Sequence, residues 1–364
     1  MRRWLLSCLA ALLLTVTIGA TDLVEEQRRA IGIDGLQEGL TGETATLVED
    51  LSPVESTDLS HGLSSIWQKL LPQLDTVILG GVRTAISLMA VVILCSMVTQ
   101  METKLSKNAV LMAGTLAITL LSAANVHTMV GLGRETLQEL QSFSGLLLPV
   151  MAAATAASGG VSSAGALYAA SVLVSNILMT VINYILIPIL YAYLAVSAAN
   201  AVLGNQTLAR VRELGRWIVT NGLKLTVFAF TGYLSLSGIL SGATDQSTLK
   251  ATKLAMGAAV PVVGSMISDA SETVLVSAGI LRSSAGVFGM LVVIAICLLP
   301  LIRLGVQHIL LKLTAALSST VGEKPLVDLI ESVSDVMGFL MGMTGASAFM
   351  LLISCVCSLK VVSS

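Results

Sequence analysis

From about position 76 onward the chain alternates long apolar runs with short clusters of charge. The runs at 77–99, 109–127, 166–183, 184–203, 217–240, 284–303 and 337–359 approach the roughly 20 residues that an α-helix needs to cross ~30 Å of hydrocarbon. A further stretch, 145–158, is shorter and interrupted by Pro149, and reads as a full span or as a re-entrant piece. Backbone amides and carbonyls left unpaired in lipid are costly, so the spanning elements are predicted to be helices. The alternating strand pattern of an outer-membrane barrel is absent. The pattern predicts an all-α polytopic membrane protein of about 7–8 transmembrane helices, with one or two proline-broken or re-entrant segments.

The first 75 residues follow a different rule. Arg2-Arg3, the apolar run Trp4–Ile18 and the small-residue boundary Gly19-Ala20 predict a signal peptide over 1–20, either cleaved after Ala20 or retained as an anchor. Cys8 precedes the apolar core instead of following it, which argues against lipid attachment. Residues 21–75 carry 11 acidic and 3 basic side chains, with recurring Leu36, Leu40, Leu47, Val48 and Leu51. They read as an acidic, helical or partly disordered extracytoplasmic segment. Within it, Ser64–Leu74 is amphipathic and brings Ile66, Trp67, Leu70, Leu71 and Leu74 together, as a membrane-interface anchor does. The multi-span domain then covers 76–364.

Composition sharpens this picture. Of 364 residues, 55% are hydrophobic and 12% charged, and the mean hydropathy is +0.88. A soluble domain is usually about one quarter charged, so the composition argues against a water-soluble globule, and a net charge of −2 makes nucleic acid a poor partner. The basic residues mark sides. Lys104 and Lys107, then Arg210, Arg212 and Arg216, then Arg303, Lys312 and Lys324 define cytoplasmic loops by the positive-inside rule. The loop 128–144 and the stretch 241–282 are then expected outside. Parity between 144 and 205 favours three crossings and eight spans in all, which places the C-terminus outside.

Two segments break the regular pattern. One runs from Leu148-Pro149-Val150 through Gly159-Gly160 to Ser162-Ser163-Ala164-Gly165. The other runs from Val260-Pro261 through Gly264, Asp269 and Glu272 to Ser283-Ser284-Ala285-Gly286. Each is an apolar piece with proline, then small residues, then the same tetrapeptide opening a long apolar helix. Paired broken helices point to a transport pathway, while small residues alone mark close helix contacts. The predicted topology makes the two copies parallel, not inverted. Asp269 and Glu272 share one helix face, as a polar pathway requires and as a capping box before an apolar run also requires. Arg83 and Lys224, six and seven residues into their spans, read as snorkelling side chains. Asp328, Glu331 and Asp335 after Pro325 form the acidic stripe of an amphipathic surface helix, a solvated face or a contact for a basic partner.

Catalysis finds no foothold. Motifs of the types GxxxxGK[ST], HExxH and GxSxG are absent. The cysteines and the three histidines have no metal-ligand spacing, and no cofactor is expected.

The stretch 253–289, with Pro261, Gly264, Asp269, Glu272, Arg282 and Gly289, resembles the signature of the stage III sporulation protein AE family. Ala157-Ser158-Gly159-Gly160-Val161-Ser162 is similar to that family's other small-residue motif, and the order of signal, acidic segment and multi-span body agrees. Family members often carry a proline soon after the aromatic that follows Gly-Gly; here Tyr168 stands without one. The resemblance implies a non-enzymatic membrane subunit of the channel or secretion-like complex joining mother cell and forespore. It implies residence in the mother-cell membrane, with the exported segment facing the space between the membranes. The partners implied are the complex's ATPase, its ring-forming proteins and a forespore membrane protein, together with the lipid bilayer. It assigns structural or pathway roles to Gly159, Gly160, Pro261, Gly264, Asp269 and Glu272. The alternative from a different class is a self-contained secondary transporter using the two broken segments.

Overall fold

The computed structural model describes residues 26–33, 35–38, 40, 42–51, 59–100, 107–204, 206–259 and 263–360; the side chains of 38, 43, 161–163, 166, 167, 170, 174, 233–274 and 360 lie outside that description. Every element among the described residues is helical. The long ones are α1 (Leu59–Gln100), α2 (Lys107–Ala157), α3 (Val161–Val181), α4 (Ile187–Leu203), α5 (Gln206–Ala259), α6 (Val263–Ser318) and α7 (Lys324–Lys360).

A π-helical turn, Ile182–Leu186, joins α3 to α4 without a break. Its cause is local. Pro188 has no N–H for the carbonyl four residues earlier, and its ring crowds that carbonyl. The turn widens instead, and the amide of Ile187 reaches back to the carbonyl of Ile182. The runs 166–183 and 184–203, expected as two crossings, are therefore one continuous rod. The stretch 145–158 is likewise neither re-entrant nor a separate span. Residues 145–157 are the last turns of α2, which continues through Pro149 and through the expected loop 128–144.

Contacts fix the direction of each rod. Going up α1, Gly62, Gly81 and Ser96 meet Leu291, Leu310 and Val321, so α1 and α6 are parallel. Gly114, Gly133 and Thr155 of α2 meet Leu326, Leu340 and Ser358, so α2 runs with α7. Ser171 and Tyr193 on the α3–α4 rod meet Ser354 and Asp335 in descending order, which makes that rod antiparallel to α7. Arg216 and Leu223 of α5 meet Asp335 and Gly342, returning α5 to the direction of α7. The bundle thus alternates at every connection. Among the described residues five helices are long and apolar enough to cross a membrane. The expected count of seven to eight is not confirmed, because proline and polar residues did not end the described helices in which they sit.

Alternation gathers the chain's turns at two ends. Lys107, Arg210, Arg212, Arg216, Lys312 and Lys324 collect at one; the turn 158–160 and the start of α6 lie at the other. The N-terminal residues dock at this second end. Ile31, Ile33, Leu36, Leu47 and Val48 are buried with Ile66, Leu70, Phe143 and Phe288 in one apolar cluster. Polar ties hold the segment there: Lys69 pairs with Asp50 at 2.7 Å and donates to the Thr46 carbonyl at 3.0 Å, and Ser277 meets Gln27 at 2.6 Å. A second cluster near the basic end packs Leu88, Ile118, Leu186, Leu326 and Val333 together.

Candidate functional site

The described parts of the two motif segments meet at the end of the bundle opposite the basic turns. α2 stops in a Schellman motif: Gly160 N–H donates to Thr155 O at 2.9 Å, and Gly159 N–H to Ala156 O at 3.0 Å. Such a stop requires a left-handed residue, and Gly159 stands at φ +97°. Gly160 caps α3, its carbonyl accepting from Ala164 N–H at 2.8 Å.

Arg282 enters this corner from α6. It is 6% exposed, donating through Nη1 to Ser158 Oγ at 3.2 Å and through Nη2 to the Leu359 carbonyl at 3.2 Å. One planar guanidinium therefore ties the α2 stop, α6 and the end of α7. The Leu359 carbonyl lies in the last turn of α7 and has no partner further along its own helix. The Arg282 Nε has no hydrogen-bond partner, and among the described residues no carboxylate pairs with the group. One turn on, Gly286 lets Leu359 approach to 2.7 Å of where a Cβ would stand. Sequence reasoning included Arg282 in its motif but gave it no role; its place in a long apolar run was the available signal.

Gly264, Asp269 and Glu272 lie on the backbone of α6, while Pro261 lies outside the described residues, as do the side chains of the other three. α6 begins at Val263, so Asp269 is already in its second turn. The capping-box reading of Asp269 and Glu272 is therefore overturned: a cap precedes the helix, whereas these residues lie inside it.

A seam of hydroxyls leads from this corner along α7. Thr155 Oγ1 and Ser358 Oγ are 2.9 Å apart, as are Ser171 Oγ and Ser354 Oγ, all four buried. Two cavities of about 20 Å³ flank the second pair; Ser171 and Ser354 line both, with Tyr168 on one and Ser347 on the other. Each is about the size of a single water molecule. The seam escaped sequence analysis because serine is common in apolar helices; the spacing of Ser347, Ser354 and Ser358 was its only trace.

At the basic end the acidic stripe proves to be only partly a solvated face. α7 runs unbroken from Lys324, so no separate surface helix precedes the span. Asp335 is 7% exposed and is met by Tyr193 Oη at 3.1 Å and Arg216 Nη1 at 3.3 Å, with Lys312 Nζ at 4.0 Å. Glu331, more exposed, pairs with Lys312 at 2.7 Å. Beside them His308 Nδ1 lies 2.7 Å from the Ser334 carbonyl, joining α6 to α7. Asp335 thus binds α4, α5 and α6 to α7 through one carboxylate. Among the described residues no group of three His, Cys, Asp or Glu side chains could hold a metal ion.

Comparison with known proteins places this architecture. The family model described as "Stage III sporulation protein AE" matches residues 45–361. The chain is 26% identical over 219 residues to the stage III sporulation protein AE of Bacillus subtilis (strain 168), a match covering 60% of this chain and 55% of that relative. The chain thus spans about half the length of the curated relative it matches. No solved structure matches.

Proposed function

Because the chain belongs to the stage III sporulation protein AE family, we propose that it is a non-enzymatic integral membrane subunit of the channel or secretion-like complex that links mother cell and forespore. It sits in the mother-cell membrane with its basic turns in the cytoplasm. Its N-terminal segment, docked at the opposite bundle end, faces the space between the two membranes and the forespore. Its partners there and in the membrane are the other subunits: an ATPase and ring-forming proteins on one side, a forespore membrane protein on the other.

The observation that carries this reading is the gathering of basic groups at one bundle end and of the motif corner and N-terminal segment at the other. Positive charge resists translocation, so this polarity supports one orientation. The motif corner, with Gly159 and Gly160 in the turn between α2 and α3, Gly264, Asp269 and Glu272 on α6, and Pro261 between α5 and α6 in the sequence, is then presented to partners outside the cytoplasm.

The test replaces Asp269 by Asn and Glu272 by Gln together. Spore development is expected to stop after engulfment begins, with the variant still present in the membrane and no longer co-purifying with the other subunits. Purified protein in vesicles is expected to move no solute. Solute counterflow by the purified protein, lost in the double variant, would instead establish a self-contained secondary transporter.

A further inference from the structure

A groove of about 920 Å³ opens sideways between α5 and α7. It reaches from Asp335 to Phe349 on α7, about 21 Å of helix at 1.5 Å per residue. Gly338, Gly342 and Gly345 line it on α7, and at the first two the missing side chains let His308 and Leu223 pack close; its apolar walls include Val227, Phe228 and Phe349. One cation stands in it. Lys224 lines the groove, is exposed, and pairs with no carboxylate among the described residues. The acid at the lower end, Asp335, already accepts from Tyr193 and Arg216, so it does not neutralise Lys224.

We infer that this groove is a binding site for an anionic diacyl phospholipid, its phosphate held by Lys224 and its acyl chains running along the glycine-lined face toward Phe349. Charge decides the head: an exposed ammonium that pairs with no carboxylate among the described residues, set in a mostly apolar groove of a membrane bundle, attracts an anionic headgroup. Lining and shape decide the body. The groove is open along its side and walled mostly by apolar side chains, and two flexible hydrocarbon chains conform to such a space. The assignment rests on the chain's lying in a bilayer and is independent of its place in any complex.

The experiment uses the full chain with its three native tryptophans, Trp4, Trp67 and Trp217, replaced by Phe and a reporter, Phe349→Trp, at the groove's apolar end. Reconstitution in vesicles containing brominated phosphatidylglycerol or brominated phosphatidylcholine reads lipid contact as fluorescence quenching. Phosphatidylglycerol is expected to quench at about fivefold lower mole fraction, the scale of one basic group's attraction to an anionic headgroup. Lys224→Gln should bring phosphatidylglycerol down to the phosphatidylcholine level, Lys224→Arg should keep the preference, and Gly342→Leu should reduce quenching by both lipids. Lys224 is exposed, so its variants fold whatever becomes of Gly342→Leu. Equal quenching by the two lipids in the reporter protein, or a preference that survives Lys224→Gln, overturns the proposal. A reporter shielded from both lipids also overturns it and assigns the groove to a protein partner.

Discussion

Two charged side chains hold this bundle by opposite means. Asp335 is surrounded by donors, so its buried charge is compensated; Arg282 rests on a hydroxyl and a carbonyl, neutral acceptors that take one bond from each of Nη1 and Nη2 without cancelling its charge. Removing one partner of a buried pair is costly because the other is left behind. Asp335→Ala strands the Tyr193 hydroxyl and Arg216 at once, but Arg216 is half-exposed and can turn to solvent. A loss of about 2 kcal/mol is expected, read as a lowered thermal unfolding midpoint in detergent. The Glu331–Lys312 pair is half-exposed on both sides, and Glu331→Ala should cost under about 1 kcal/mol. Equal effects from the two substitutions would show that Asp335 is not the tie described here.

Glycine does two separable jobs at the scale of the helix. Gly159 ends α2 because only a residue at positive φ completes the Schellman turn, and Gly204 ends α4 at φ +61° for a similar reason. Gly322, in the α6–α7 turn, is a matter of space. A Cβ there would lie 2.8 Å from the Ser318 carbonyl oxygen and would press on the side chain of Val92. Backbone cannot step aside, so Gly322→Ala should destabilise by about 1–3 kcal/mol. Gly145 does neither: it lies within α2 with nothing within 4 Å of its Cβ position. Gly145→Ala should be neutral or stabilise by up to ~1 kcal/mol, since alanine loses less backbone entropy. Unfolding of the two variants in parallel separates packing from propensity; a destabilised Gly145→Ala would count against the open environment of α2 at that point.

For the whole molecule, alternation sets the topology. If each rod crosses once, both ends of the described chain lie on one side, and the turns after α1, α4 and α6 lie on the other. Single cysteines at 104, 205 and 321, in protein lacking its native cysteines, should be labelled from the cytoplasm by a membrane-impermeant maleimide. Cysteines at 160 and 262 should be labelled only from outside. Labelling of 160 and 205 from the same side would restore the even number of crossings between them that the rod excludes.

The sequence by itself determined that the chain is helical and membrane-solvated, and which turns are basic, because hydropathy and charge are additive along a chain and need no partner to be read. The motif signature at 253–289 was equally local. The number of rods was not legible. Pro149 and Pro188 look like breaks in one dimension, and only neighbouring helices, with a π-turn to absorb the misfit at Pro188, decided that both rods continue. The same holds for Asp335, which sits in an acidic stripe by spacing but is buried because Tyr193, Arg216 and Lys312 arrive from three other helices. Arg282 and the groove under Lys224 are likewise products of packing, since a partner's distance and a glycine-lined groove exist only where separate helices meet.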